Sequence, residues 1–164
     1  MREAVVALLS FIPVESIGLF LERIRIRRLC RRMRHCGKRV TISRGFYVES
    51  PGTVSIADDV SFGPNVSIMG IGGCTIGMNA MIATHSLILT TTHDRRAAIV
   101  RDTGIHKPVV IEENAWIGAG AILLPGAVVR ARAVVGAGAV VANEVLPDQV
   151  VGGVPAQVLF ERHA

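Results

Sequence analysis

Three histidines in the middle of this 164-residue chain, His85, His93 and His106, interrupt a sequence that is otherwise aliphatic, small or glycine. An unperturbed imidazole, with a pKa of about 6.5, suits a general base at neutral pH. A positioned general base contributes on the order of 10²–10⁴-fold. His93 stands out by its context, "LTTTHDRR" from Leu89 to Arg96, where three threonines lead to the ring and a charged run follows it. Arg95 and Arg96 read either as a solvated pair or as contacts for an anionic molecule. His85 reads as a solvent-facing or intersubunit residue, and His106 in "IHKP" as a contact for a second reactant. The one tryptophan, Trp116, stands beside "IGAGA"; a large ring next to small residues fits a pocket wall or interface packing.

These residues ride on a strong internal period. Aliphatic or aromatic residues recur every six positions at Ile56, Phe62 and Ile68, at Ile76, Ile82 and Ile88, and from Ile111 through Ile117, Leu123, Val129 and Val135 to Val141. Four residues after most of them is a small or β-branched residue, including Val60, Val66, Ala80, Ser86, Thr92, Ala115, Ala121, Ala127, Ala133, Ala139 and Val145. Six fits neither a 3.6-residue helix nor a hairpin sheet. It fits a short strand plus a corner, three of which close an 18-residue triangular coil that stacks on the next at about 4.8 Å. "GAG" at 118–120 returns at 136–138, so Ala137 stacks over Ala119. The step from Ile68 to Ile76 is eight, eased by Gly70, Gly72 and Gly73, and residues 94–108 form a protruding loop. With an irregular first coil over 40–55, in which Val40 and Phe46 point inward, the expected prism has about five coils and stands roughly 24 Å tall.

The composition is one of aliphatic packing, half hydrophobic but only 4% aromatic. Its net charge of +5 is local: residues 1–40 hold ten basic and three acidic side chains, and the other 124 hold eight and ten. Residues 1–38 read as a basic segment that becomes helical from Ile17, with Ile26, Leu29, Cys30 and Met33 on one stripe, Arg23, Arg27, Arg31 and Arg34 on another, and Gly37 as its stop. Such a helix suits either peripheral contact of residues 1–36 with an anionic membrane or packing on its own domain. The stretch "AVVALLSFIPVESIGLFL" carries Pro13, Glu15 and Ser16 and lacks a following cleavage site, against both a spanning helix and a secretory signal. The expected location is cytoplasmic, with a peripheral position at the inner face of the plasma membrane as the extension. Three irregularly spaced cysteines suggest free thiols, and no motif supports nucleic-acid binding.

The runs "KPVVIEENAWIGAGAILLPGAVV" and "VVGAGAVVANEVLPDQVVGGVPAQVL" resemble the left-handed parallel β-helix acyltransferases built of hexapeptide repeats, most of all the maltose, galactoside and polysaccharide O-acetyltransferases. The resemblance covers roughly 40–160, giving a β-helix domain over 39–160 and a tail over 161–164. It implies an all-β solenoid, a homotrimer with sites between neighbouring prisms, acetyl-CoA as acyl donor and no metal. It implies that His93 is the catalytic base, that Trp116 lines the site, and that Ala119 and Ala137 line the pantetheine arm. Zinc-binding relatives use three histidines across subunits, but the spacing of His85, His93 and His106 does not reproduce theirs.

The departures bear on the acceptor. An asparagine of the sugar enzymes aligns with Gly63, leaving Asn65 close but out of register, and one of their acidic residues aligns with Ile71. Their Thr-Lys pair at the CoA end aligns with Ala142 and Asn143. Their C-terminal arginines align with Gln157 and Phe160, leaving Arg162 as a substitute. The expectation is an O-acetyltransferase acting on a sugar hydroxyl in a cell-surface glycan other than a maltose or galactoside substrate. The alternatives are acetylation of an amine or small molecule, or a non-catalytic trimeric scaffold.

Overall fold

Two-residue strands separated by tight corners are too short to pair as hairpins, so each finds its hydrogen bonds in the coil above and the coil below. The computed structural model describes residues 14–162, and His163 and the apolar stretch ahead of Val14 lie outside them. It is a parallel β-solenoid with three faces. The first face stacks β1 (His35–Cys36), β4 (Val54–Ile56), β7 (Cys74–Ile76), β12 (Val109–Ile111), β15 (Val128–Val129) and β18 (Glu144–Val145). The second stacks β2 (Thr41–Ile42), β5 (Ser61–Phe62), β8 (Met81–Ile82), β13 (Trp116–Ile117), β16 (Val134–Val135) and β19 (Gln149–Gly152), closed by antiparallel β20 (Gln157–Glu161). The third holds β3 (Tyr47–Val48), β6 (Ser67–Met69), β9 (Leu87–Leu89), β14 (Ile122–Leu123) and β17 (Val140–Val141). The prism therefore has six levels on two faces and five on the third, rather than five coils throughout. The added level is the C-terminal one, β18 with β19, which has no strand on the third face, while β1 at His35–Cys36 completes the first coil from inside the segment expected to be helical.

The inward residues form one column per face. Ile56, Ile76, Ile111 and Val129 stack on the first face and Phe62, Ile82, Ile117 and Val135 on the second, all at most 1% exposed. Ala80, Ala115, Ala121, Ala127, Ala133 and Ala139 are buried beside them. Two expected small positions differ. Val145 is the inward residue of β18, opposite Val129, because the last coil is two residues shorter. Thr92 is exposed; Thr90 is the buried residue there, its hydroxyl donating to the Met69 carbonyl at 3.1 Å and accepting from the Gly72 amide at 3.0 Å.

Each corner turns at the third residue after an inward aliphatic. Asp59, Asn65, Asn79, His85, Asn114, Gly120, Gly126, Arg132, Gly138 and Asp148 all have φ between 57 and 91°. Asn, Asp and Gly tolerate this left-handed region best. The corner between the first two faces becomes a polar ladder, in which Arg39 bonds Asp59, Asn79 bonds Asn114 and Arg132 bonds Asp148.

Helix α1 (Val14–Arg32) ends five residues before Gly37. Met33 is buried and Leu29 packs against the core, while Arg25 pairs with Glu22 at 2.7 Å and donates to the Phe46 carbonyl at 3.1 Å. Arg23, Arg27, Arg28, Arg31, Arg32 and Arg34 are exposed, and none makes an ion pair among the described residues. No helix among the described residues is long and apolar enough to cross a membrane. Cys30, Cys36 and Cys74 are free thiols.

On the first face Arg130 bridges Glu112, at 2.8 Å, and Glu144. The Arg130 hydrogen bond and the Ala131 amide hold the Glu112 carboxyl below the usual carboxylate range. A carboxylate with a depressed folded pKa contributes stability above its unfolded pKa and loses it as pH falls through the folded one. Glu112→Gln is therefore expected to destabilise at pH 7 and to match the parent in acid below the carboxylate range. Urea unfolding at both pH values checks this, and a pH-independent difference would contradict it.

Candidate active site

The chain leaves the prism at Thr90 and re-enters at Lys107, whose amide donates to the Thr90 carbonyl at 3.0 Å. Between them β10 (Thr91–His93) pairs antiparallel with β11 (Gly104–His106), so the excursion starts as an ordered hairpin rather than at residue 94. Three β-branched or polar residues in extended conformation suit a strand, and Thr91 is tied down by accepting the Ile71 amide at 3.2 Å. Its hydroxyl also lies 3.0 Å from His106 Nδ1, a hydrogen bond that ties the two strands of the hairpin together.

His93 is the last residue of β10 and is exposed. It opens on a cleft of about 660 Å³ with Asp94, Arg95, Arg96, Lys107 and, from the solenoid, Leu124, Pro125 and Ala142. The Asp94 carboxylate accepts the Arg96 amide at 2.9 Å, which caps the turn, and among the described residues it makes no hydrogen bond to the imidazole.

The other expected site residues lie apart. Gly63, Asn65, His85, Ala119 and Ala137 share the corner between the second and third faces, since Phe62, Ile82, Ile117 and Val135 are in register. Asn65 and His85 stack there with Nδ2 and Nε2 3.4 Å apart. Ala137 is stacked over Ala119 as the repeat predicts, and the Ala119 carbonyl accepts the Gly138 amide at 2.8 Å. The amides of Ala119 and Ala137 donate no hydrogen bond among the described residues. This corner is one whole face away from the His93 cleft. Trp116, 45% exposed, lines a depression on the second face with Phe160 and Arg162. Asn143 lines a pocket beside Ala142 under β20, and His106 lines a depression with Glu49 and Ile71. The cleft thus gathers His93, Arg95, Arg96 and Ala142 but none of the ridge or tryptophan residues. Lys107 is the cleft residue that motif spacing misses; its signal is only that it is the re-entry point of the excursion.

Among the described residues no three His, Cys, Asp or Glu side chains cluster as a metal site would require.

Six-residue units wound three to a stacked coil, with an extruded hairpin that carries His93, are the build of a hexapeptide-repeat protein, and residues 108–143 match the family model described as bacterial transferase hexapeptide (six repeats). A hexapeptide-repeat-containing acetyltransferase of Vibrio cholerae has the same fold, with 32% identity, a TM-score of 0.78, and coverage of 85% of this chain and 80% of that one. A maltose O-acetyltransferase of Clostridium difficile 630 superimposes with a TM-score of 0.79 at 25% identity over 85% and 75% of the two chains. An Escherichia coli K12 protein named for colanic acid biosynthesis as an acetyltransferase is 30% identical over 126 residues, 77% of this chain and 68% of its own. The chain belongs to the hexapeptide-repeat acetyltransferases. It spans 46–63% of the length of other curated relatives that it matches.

Proposed function

We propose that this chain is an acetyl-CoA-dependent O-acetyltransferase that modifies a sugar hydroxyl, in a homotrimer whose active sites lie between neighbouring copies. The observation that carries the reading is His93 at the mouth of a cleft, on a hairpin fixed at both ends to the solenoid. The Vibrio relative has been crystallised with acetyl coenzyme A, and the Clostridium and Escherichia relatives are named for a sugar and a polysaccharide.

A thioester is already activated, so no covalent enzyme intermediate is required. The acceptor hydroxyl attacks the thioester carbonyl while His93 takes its proton, and the tetrahedral intermediate collapses to the acetyl ester as His93 returns that proton to the departing CoA thiolate. A fixed backbone N–H stabilises the oxyanion without reorganising. The unbonded amides of Ala119 and Ala137 are the donors this requires, and their small side chains leave a lane for the pantetheine arm. Because the ridge and the cleft are one face apart in a single chain, the ridge that serves His93 comes from the adjacent copy.

The acceptor reading extends to cell-surface polysaccharide or lipid-linked glycan, with helix α1 resting on the anionic inner face of the plasma membrane. Its support is the arginine face left free while Leu29 and Met33 hold the helix to the prism. Each basic residue near such a surface contributes about 1 kcal/mol. Changing Arg23, Arg27, Arg28, Arg31 and Arg32 to glutamine should therefore weaken binding to vesicles containing phosphatidylserine by well over tenfold. Substitution is preferable to truncation here, since removing Met33 would cut the core. Equal sedimentation of the parent and the variant with these vesicles would refute the membrane role.

A further inference from the structure

The cleft at His93 is far more cationic than a neutral sugar needs. Arg95, Arg96 and Lys107 line it, none makes an ion pair among the described residues, and the one acid, Asp94, is engaged with the Arg96 amide. Lys107 is also the best fixed of the three. Its backbone closes the base of the hairpin on Thr90, and its stem runs over Gly126, where an added Cβ would come within 3.2 Å of the lysine Cδ. We infer that the acceptor carries an anionic group, a carboxylate or a phosphate on the sugar, and that Lys107 with Arg95 and Arg96 determines this specificity. The inference rests on the acetyl-transfer reading above.

Two sources could supply the anion, the acceptor or the phosphates of CoA. Chain length favours the acceptor. Arg95 and Arg96 follow His93 by two and three residues, so their backbones lie within about 11 Å of it. The thioester that must meet His93 is uncharged and is separated from the CoA phosphates by the whole pantetheine arm. Nearness to the base sets these cations toward the molecule whose hydroxyl is being deprotonated. Ala142, aligned with a CoA-end residue of the relatives, also borders the cleft, so the test separates acceptor from donor. The cations also steer an anionic acceptor to the cleft, an effect that salt weakens.

The test compares glucose, glucuronic acid and glucose 6-phosphate with the full chain and its Lys107→Gln and Arg95→Gln/Arg96→Gln variants. It reads direct binding by calorimetry and turnover with acetyl-CoA. The expected result is binding of a charged sugar at least about tenfold tighter than glucose, weakened by added salt. Either variant should remove most of that advantage by raising KM for the acceptor, with KM for acetyl-CoA changed by less than about twofold. Equal binding of charged and neutral sugars would overturn the inference, as would variants that raise KM for acetyl-CoA instead, which would assign the cations to the donor's phosphates. If charged sugars bind as expected while acetyl-CoA is not consumed, the cationic cleft stands and the acetyl-transfer reading fails.

Discussion

Replacing His93 by alanine is expected to lower kcat for acetyl transfer by about 10²–10⁴-fold, the range that a positioned general base contributes. The hairpin does not depend on the imidazole: its ladder is backbone, and the anchoring bonds come from Thr90, Thr91 and Lys107. The variant should therefore fold and bind acetyl-CoA with an unchanged affinity, so that the loss falls in kcat. Release of free CoA thiol measured with a saturating acceptor reads it directly. His106→Ala, which removes a ring that lies outside the cleft and is tied to Thr91, should cost far less. Equal rates for the parent and His93→Ala would remove His93 from the chemistry.

The largest stability effect is expected at Phe62. Its ring is 1% exposed and tilts against Phe46, itself fully buried, with centroids 4.7 Å apart. These two rings fill the lower prism, where the aliphatic columns of the upper coils give way to aromatic packing beneath helix α1. Phe62→Ala loses the transfer energy of the ring and leaves a cavity that stacked backbones on three faces cannot close, for a cost of about 3–5 kcal/mol. Coils contact only their neighbours, so the damage propagates to the first coil and the helix before it reaches the hairpin. The urea midpoint should fall accordingly, while Met78→Ala, at a half-exposed side chain, should stay within about 0.5 kcal/mol of the parent.

Much of this architecture is legible in the chain because a period of six has one physical solution. The inward columns from Ile56 to Val141 and the stacking of Ala137 on Ala119 follow from spacing alone. The ends of the solenoid are less legible. At His35–Cys36 a two-residue strand carries no alternation to distinguish it from a frayed helix, and at Val145 the shortened coil turns an apparent small position into an inward one. The left-handed corner residues were open to reading three positions after each aliphatic. That regularity gives His85 a structural reason for being there, since histidine is among the residues that tolerate positive φ. His93 is singled out by motif and by the break in the repeat, and the structure sets it at a cleft. Lys107 is not, because its place in the cleft depends on how the hairpin closes, which no local pattern encodes. The separation of the ridge from the cleft is likewise a property of the closed triangle rather than of any segment.

That separation provides the most direct test of the account. His93→Ala leaves the ridge intact, and Ala119→Trp blocks the exposed ridge while leaving His93 intact. Each protein alone should be inactive. Coexpressed in equal amounts, they should recover about a quarter of parental activity, since mixed rings of three form one productive interface each. Recovery at that level would mean that the base and the acyl-donor ridge act across copies. Mixed trimers as inactive as either parent variant would contradict the shared site.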